Sequence, residues 1–459
     1  MTTDSSEKVQ YGARPLGLDA SRKLCEFAAR ACFEDLPDAV VRECKRGMLD
    51  WLGCALAGSA HATIQTLLAG LRAAGSLERV TVIGNSTKMG LMEAAIANGQ
   101  MGHVLDFDDT HMDGVVLHTS SPVLAALIAT LAVQPRSGKD FMLAYALGFE
   151  AGVRVGKCSP GHHDGGWHLT GTLGSIAAGF SVASLLGLNP QRTTYALGIA
   201  TTQAAGMQQN RGTMCKSLHA GKAAANGVLA GLLAREGFDS AQEIIEGRRG
   251  FANTFSKGCV PEALTDALGE RWEITSNGYK PYACGVVLHP LIDAVIALRA
   301  HQVAVADVAH IALRVHPLAI RITGVVAPAT GLQSKFSLYH SAAVAYIDGA
   351  AGVAQYSDAR ASDQNVANLR ACVQVEADAS LRKDEAHAFL LTRDGQRHAV
   401  HIPHAIGTQA NPLSDAALLA KFYANASPVV GEARAAEIAA MVERFETLDD
   451  ANALVGLLA

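Results

Sequence analysis

Residues 103–118 hold a dense set of ionisable side chains in a chain that is 49% hydrophobic and only 18% charged. The stretch contains four aspartates and three histidines: Asp106, Asp108, Asp109, Asp113, His103, His111 and His118. Such side chains can bind a metal ion, hold a pyrophosphate through Mg²⁺, exchange protons with a substrate, or form a solvated loop. Apolar helical segments at residues 95–105 and 122–133 flank the stretch and favour a cleft over an exposed loop.

A metal site is the less favoured hypothesis for this stretch. The three histidines are eight and seven positions apart, which is not the spacing of a zinc-ligand pair on one helical turn. The segment DDTHMD resembles the aspartate-rich Mg²⁺ motif of class I terpenoid synthases. That function predicts a second metal segment, but its best candidate, starting at Asn226, has Ala230 and Ala234 at the ligand positions. We therefore predict no metal ion.

Three other polar segments interrupt the apolar sequence. GGWHLTGTLGS places His168 at the start of a helix, GTMCKSLHAGKAAANG contains Lys216 and His219, and NGYKPYACG contains Lys280. Each has an ordinary structural explanation, such as a histidine that bonds backbone carbonyls or a lysine in a solvated loop. Together they favour acid–base chemistry on a small anion.

Helices must position most of these residues. From about residue 20 to 265 the apolar pattern is helical almost throughout, and several segments are apolar on all sides, which predicts buried helices in layers. After Trp272 the pattern alternates, predicting strands at 310–315, 372–378 and 388–402, the last with a hairpin turn at Asp394 and Gly395.

The same pattern predicts a mainly α fold with two domains. Helices are expected around 286–300 and 337–350 between the strands, and Ser414 is placed to cap a further helix. We predict a large all-helical domain of residues 1–270 plus 408–459, with a smaller α+β domain of residues 271–407 inserted into it.

Composition restricts the partners and the compartment. A net charge of −5 without a Lys/Arg-rich run argues against nucleic acid and acidic membranes. The longest apolar stretch, 173–188, is too short to span a bilayer and predicts a buried helix. The N-terminus lacks the basic start and apolar core of a signal peptide, so we expect a cytoplasmic protein. Nine cysteines without a CxxC pair predict buried thiols.

Six motifs in the same order resemble those of the MmgE/PrpD family. They are LDFDDTH, LHTSSPV, GWHLTGTLGS, GTMCKSLHAG, YKPYACG…HPLID and KFSLYH…YIDG, and they extend over nearly the whole chain. The family includes 2-methylcitrate dehydratase, cis-aconitate decarboxylase and iminodisuccinate epimerase. The resemblance implies a homodimer whose α+β domain is a lid over an active site between the domains. It also implies small di- or tricarboxylate substrates and no metal or organic cofactor.

The resemblance also assigns roles to residues. The family's active-site positions fall here on Asp106, Thr110, His118, His168, Lys216 and Lys280. His340 occupies a position where decarboxylase-like members carry tyrosine. We expect His168, His340, Asp106 and Lys216 to be catalytic, and Thr110, His118, Lys280 and His219 to bind substrate.

The expected activity is that of a cofactor-independent lyase that removes a proton next to a carboxylate. Because a histidine at position 340 can donate or accept a proton near neutral pH, either His168 or His340 is expected to move the proton. A dehydratase-type reaction is ranked first, with decarboxylation also open, and an epimerase or isomerase second. A non-catalytic helical binding protein, the remote alternative, predicts that Lys216, Lys280 and His168 do not converge.

Overall fold

The computed structural model describes residues 19–459, and the fold is mainly α, as predicted. The helices of its first half are α1 (Ala20–Arg30), α2 (Asp38–Ser59), α3 (Ala62–Ala73), α4 (Leu91–Val104), α5 (Ser120–Leu131), α6 (Gly138–Cys158), α7 (Leu169–Leu185), α8 (Pro190–Thr201), α9 (Met214–Arg235) and α10 (Phe251–Phe255). Those of its second half are α11 (His289–Leu298), α12 (Pro317–Thr323), α13 (Gly331–Ser334), α14 (Leu338–Asp348), α15 (Asp358–Ala361), α16 (Gln364–Arg370), α17 (Asp415–Val430), α18 (Glu432–Glu443) and α19 (Asn452–Val455).

Close helix packing builds the core around the first half of the chain. Helix α7 packs against α6 and α9, and α9 packs against α4 and α5. Small residues allow this approach, since a Cβ atom at Gly221 of α9 would lie only 2.1 Å from the carbonyl oxygen of Ile96 in α4. This packing brings the C-terminal end of α4, just before Asp106, close to the first turn of α9, which carries Lys216.

The C-terminal helices return to this helical core. Helix α17 packs against α2 and α18, and α18 also contacts α2. As predicted, Ser414 caps α17, since its hydroxyl oxygen accepts a hydrogen bond from the amide of Ala417 at 3.2 Å. The beginning and the end of the described chain therefore pack together.

The predicted strands form one four-stranded sheet. The strands β5 (Val308–Val315), β6 (Val373–Ala377), β7 (Ala386–Thr392) and β8 (Arg397–Ile402) lie in the order β6-β5-β7-β8. Strand β6 is parallel to β5, and the other pairs are antiparallel. Gly395 adopts a left-handed φ of 90° in the hairpin between β7 and β8, as the Asp-Gly signal predicted. Helix α11 packs on β7 and β8, and α14 packs on α11.

Two short strand pairs were not predicted. Strands β1 (Val80–Thr81) and β2 (Lys88–Met89) pair near α4. Strand β3 (Thr110–His111) pairs antiparallel with β4 (Asn277–Gly278), and this pairing fixes the aspartate-rich loop next to the segment that carries Lys280. Two-residue strands have no periodicity that a sequence pattern can reveal.

The sequence overestimates helix between residues 236 and 265, where the chain is mostly irregular apart from α10. At the end of this segment and just after it, the side chain of buried Arg154 donates hydrogen bonds to backbone carbonyl oxygens. Its guanidinium group donates to the carbonyl oxygens of Ala263, Asp266 and Arg271 and to the carboxylate of Glu150. Tertiary hydrogen bonds thus replace a helical ladder.

The structure confirms one of the remaining sequence predictions and corrects another. The apolar stretch at 173–188 lies in buried helix α7 and the turn after it, and no helix within residues 19–459 has the length and apolar character needed to span a membrane. All nine cysteines are free thiols, but Cys32 and Cys215 are exposed rather than buried. The N-terminal segment used to argue against a signal peptide lies outside the described residues.

Candidate active site

A cavity of about 530 Å³ opens where the helical core meets the segments that follow Lys280. Five of the eight predicted site residues line it: Asp106, His118, His168, Lys216 and Lys280. Its opposite wall comes from the later part of the chain and includes Val286, His316, Arg321 and Phe336. A volume of this size suits a small-molecule ligand.

Asp106 is the centre of the charge arrangement. It follows α4 with a left-handed φ of 53°, a conformation that aspartate tolerates better than most residues. Its two carboxylate oxygens lie 2.8 Å from the ammonium nitrogen of Lys280 and 3.1 Å from that of Lys216. Although burial alone would raise the pKa of Asp106, these two ammonium groups hold it well below its usual value.

The cavity is rich in cations. Burial lowers the pKa of Lys216 from its usual value, whereas the neighbouring carboxylates, chiefly Asp106, outweigh burial and raise the pKa of Lys280. Arg211 adds a guanidinium group to the wall. Arg321 and Lys383 also line the cavity, so five cations face the two carboxylates of Asp106 and Asp164, and the net positive charge favours an anionic ligand.

Lys335 is a further buried cation that the sequence analysis did not single out. Its ammonium group donates to the carbonyl oxygens of Leu105 and Ala283, at 2.6 and 2.8 Å, and it lines a small recess together with Lys216. Burial lowers its pKa to about 8. Lys335 is the first residue of the motif KFSLYH, so the family motif could have identified it as a candidate site residue.

Two imidazoles, His118 and His168, line the floor of the cavity, and the rings of His103 and His219 pack against them without lining it. The ring centroid of His103 is 4.7 Å from that of His118 and 5.6 Å from that of His168. The Nδ1 atoms of His168 and His219 are 2.9 Å apart, so one ring donates to the other. Burial holds the pKa of both His118 and His168 well below the usual value, and the charge of Lys216 adds to this effect at His168. Both rings are therefore neutral at pH 7 in the empty cavity.

Hydrogen bonds fix the orientation of His118. Its Nδ1 atom lies 3.0 Å from the carbonyl oxygen of Asp109 and 3.0 Å from the hydroxyl of Thr110. A carbonyl oxygen only accepts, so Nδ1 carries the proton and Nε2 has a free lone pair. Thr110 therefore lies behind His118 and does not line the cavity.

Asp108 is a second residue that the sequence analysis did not assign. One of its carboxylate oxygens lies 2.8 Å from Nδ1 of His103, and the other lies 3.5 Å from Nδ1 of His118. Ser121 also donates to this carboxylate. Because the two imidazoles, chiefly His103, outweigh the effect of burial, the pKa of Asp108 is well below its usual value. The ionised carboxylate orients both rings.

The structure does not bring His340 to the cavity. It lies in the first turn of α14, buried, with Nε2 2.9 Å from the carbonyl oxygen of Gln355 and its ring against Tyr356. The expectation that His340 moves the substrate proton is therefore corrected, because a neighbouring backbone group already occupies this imidazole. The sequence could place it after KFSL but could not show the direction of its side chain.

The aspartates of residues 103–118 do not form a shared Mg²⁺ clamp. Asp108 faces imidazoles, Asp109 accepts from Ser120 and Asn277, and Asp113 pairs with Lys157. Ligand atoms of His103, Asp108 and His118 lie within 4.8 Å of one another, a spacing that could hold an ion. The positive charges of Lys216 and Lys280 are close enough to lower the pKa of His118, and they would also repel a metal cation bound in this cluster.

His111, which the zinc hypothesis included, faces elsewhere. Its Nδ1 donates to the carbonyl oxygen of Val115 at 2.9 Å, and its Nε2 lies 3.6 Å from the carboxylate of Glu273. The three-histidine site considered for zinc is therefore not formed by these side chains. Only His103 and His118 of the three are neighbours.

Comparison with known proteins identifies the family of this chain. The MmgE/PrpD N-terminal domain matches residues 22–263, and the MmgE/PrpD C-terminal domain matches residues 282–447. A cis-aconitate decarboxylase of Aspergillus terreus is 27% identical over 470 residues, covering 95% of both chains. The mouse (Mus musculus) cis-aconitate decarboxylase is 28% identical over 92% of this chain and 90% of its own. The cis-aconitate decarboxylase-like protein oryM of Aspergillus oryzae is 33% identical over 61% of this chain and 62% of its own. The chain belongs to the MmgE/PrpD family.

Proposed function

We propose that this protein is a metal- and cofactor-independent lyase that acts on a small di- or tricarboxylate. The observation that carries the proposal is the convergence of Lys216 and Lys280 with His118 and His168 around one cavity of about 530 Å³. A non-catalytic helical protein has no need for buried lysines and neutral imidazoles at the same cavity. The membership of the MmgE/PrpD family supports the same class of reaction.

The lysines bind the carboxylates of the substrate. Asp106 holds both ammonium groups in place before the substrate arrives, so they need not reorganise when it binds. Arg211 provides a further cation on the wall. Removing a proton or CO₂ next to a carboxylate places extra negative charge on the substrate, and fixed cations stabilise that charge by several kcal/mol.

Proton transfer is assigned to the imidazoles that line the cavity. His118 presents an unprotonated Nε2 because its Nδ1 donates to Asp109, so it is suited to accept a proton from carbon. His168 lies on the same floor and is the second proton carrier. A bound polyanion raises the pKa of both rings, and the ring that has taken a proton can then return it to the product or to a leaving group.

The bond that breaks decides the type of lyase. In a dehydration the carbon proton goes to a base and hydroxide leaves with a proton from an acid. In a decarboxylation the C–C bond breaks, CO₂ leaves, and the remaining carbanion takes up a proton. Because the relatives compared above are named cis-aconitate decarboxylases, cis-aconitate is the first substrate to test, and 2-methylcitrate, for a dehydratase, is the second.

The epimerase alternative loses part of its basis. It depended on His168 and His340 as two proton carriers on opposite faces, and His340 does not reach the cavity. The proposal therefore concentrates on the lyase reactions.

The domain division and assembly belong to the same proposal. We propose that residues 271–407 act as a lid over residues 1–270 plus 408–459, with the substrate bound between them, and that the protein works as a cytoplasmic homodimer. Analytical ultracentrifugation measures the assembly directly. Small-angle scattering with and without the active carboxylate measures closure, and an unchanged radius of gyration contradicts the lid.

The decisive experiment combines a substrate screen with one substitution. Candidate acids are incubated with the protein in D₂O and followed by NMR for loss of CO₂, loss of water or exchange of the carbon-bound proton. Lys280→Ala is expected to lower kcat/KM by at least about 100-fold, or about 2.7 kcal/mol. The matched control is Lys222→Ala, since Lys222 is an exposed lysine on the same helix as Lys216. A Lys280→Ala value within about threefold of the wild type contradicts the proposal.

A further inference from the structure

We propose that Glu385, His387 and His401 form a binding site for Zn²⁺ or a similar divalent cation on the four-stranded sheet. One ligand atom from each side chain lies within 4.8 Å of the other two. None of the three residues lines the candidate active-site cavity. The site is thus separate from the proposed lyase chemistry.

The register of the sheet holds the two histidines together. His387 in β7 and His401 in β8 are directly opposed Cα partners of an antiparallel pair, so their side chains point to the same face. Their rings are stacked, with centroids 4.2 Å apart and planes 6° from parallel. Backbone pairing therefore keeps the two imidazoles adjacent on one face, and the rings must turn out of this stack for both to bind one ion.

Glu385 completes the donor set from the residue just before β7. Its Oε1 atom lies 2.9 Å from Nε2 of His401. Two imidazole nitrogens and one carboxylate oxygen are a donor set found in zinc sites, with the fourth position left to water. Tetrahedral zinc places its ligand atoms about 3.3 Å apart. The three ligand atoms lie within 4.8 Å of one another, and rotation of the side chains brings them to the zinc spacing. The side chains are free to rotate because His401 is exposed and the other two are only partly buried.

The local charge also suits a cation. Two arginines lie nearby, but each is already paired with carboxylate oxygen: Arg314 lies 3.2 Å from Asp378, and Arg382 lies 3.4 Å from the second oxygen of Glu385. Asp384 adds a third carboxylate next to Arg382. Both guanidinium groups near the histidine pair therefore have carboxylate partners and leave no unpaired positive charge of their own against a bound cation.

The site adjoins the cavity along the chain. Lys383, at the cavity wall, is two positions before Glu385. An ion bound by Glu385 and both histidines would link the loop that carries Lys383 to strands β7 and β8.

The test is titration of the metal-free protein with ZnCl₂ by isothermal calorimetry in a buffer that does not chelate zinc. The wild type is expected to bind one equivalent that His387→Ala and His401→Ala each lose, or bind at least about tenfold more weakly. His401→Gln repeats the test with a smaller change in side-chain volume. Thermal unfolding of each metal-free variant shows whether it is folded.

His301→Ala is the matched control. His301 and His398 form another stacked pair at 4.2 Å, but no third ligand residue is grouped with them among residues 19–459. This control is expected to keep the wild-type stoichiometry. The buried cluster of His103 and its neighbours is intact in every variant, so zinc bound there does not change between them. Absence of zinc binding by the wild type, an unchanged stoichiometry in the His387 and His401 variants, or an equal loss in His301→Ala overturns the proposal.

Discussion

The ammonium nitrogen of Lys280 lies 2.8 Å from a carboxylate oxygen of Asp106 and 2.9 Å from the carbonyl oxygen of the same residue. One residue thus holds Lys280 through both its side chain and its backbone. The other carboxylate oxygen faces Lys216. Asp106 therefore sets the position of both lysines, and its backbone conformation sets the direction of its own side chain.

Asp106→Asn is expected to lower kcat/KM by at least about 100-fold while the protein remains folded. The substitution removes the counter-ion of two buried ammonium groups, yet asparagine readily adopts the left-handed backbone that this position requires. Asp113→Asn is the control, since Asp113 is an exposed aspartate of the same loop. Steady-state kinetics and thermal unfolding measure both effects, and near-normal kcat/KM in Asp106→Asn refutes the role of Asp106.

The two predicted proton carriers should differ in isotope exchange. His168→Ala is expected to slow exchange of solvent deuterium into the bound substrate, because His168 lines the cavity as one of its two proton carriers together with His118. His340→Ala is expected to retain exchange, because His340 is bonded to the carbonyl of Gln355 outside the cavity. NMR of the recovered acid measures the deuterium content. Loss of exchange in His340→Ala alone restores the original assignment of this residue.

The acid limb of the pH profile should lie below the usual histidine pKa of 6.5. Burial, followed by the charge of Lys216, holds the pKa of His168 well below that value, and burial does the same for His118. A base must be unprotonated, so kcat/KM is retained as the pH falls through 6.5 and is lost at lower pH. The profile is corrected for the separately measured titration of the substrate. An acid limb centred above pH 6.5 is inconsistent with these imidazoles as bases.

Asp109 should make the protein less stable as the pH rises. Burial, followed by the nearby carboxylate of Asp50, raises its pKa to about 8. Because the folded state binds this proton more tightly than the unfolded state, the contribution is complete below about pH 4 and is lost as the pH rises through about 8.

Asp109→Asn tests this linkage by replacing the protonated carboxyl with a neutral group of similar shape. The fall in Tm between pH 5 and pH 9 is expected to be smaller in Asp109→Asn than in the wild type. Asp239→Asn, at an exposed aspartate, is expected to follow the wild-type curve. Parallel Tm curves for the wild type and Asp109→Asn show that Asp109 is ionised throughout this range.

Turnover should not depend on a divalent ion. Lys216 and Lys280 supply the positive charge that a metal provides in other enzymes, so kcat/KM in EDTA is expected to equal the untreated value. Added Zn²⁺ or Mg²⁺ should not raise it. Loss of activity in EDTA that either ion restores points instead to the cluster of His103, Asp108 and His118.

The sequence predicted the elements with strong periodicity. Strands β5, β7 and β8 and helices α4, α5 and α17 lie close to the predicted positions, because each has a clear period or a cap. The predicted convergence of Lys216, Lys280 and His168 also matches the cavity. The resemblance to a family supplied the residues, since spacing alone left several chemistries open.

The directions of side chains and their tertiary contacts could not be predicted from the sequence. No local pattern shows that His340 faces Gln355, that Asp108 lies between two imidazoles, or that Lys335 is buried next to the cavity. Lys335 and Leu105 are 230 positions apart, and the side-chain directions of the closer pairs are set only when the helices have packed.

The pairing of β3 with β4 has a consequence for how this protein is made. Asn277 and Asp109 are hydrogen-bonded although 168 positions separate them. Contacts between such distant positions are slow to form, because closing the intervening loop costs conformational entropy. The ribosome must therefore release more than half of the polypeptide before the pocket can be complete, and a product that stops before β4 lacks Lys280 and the whole opposite wall.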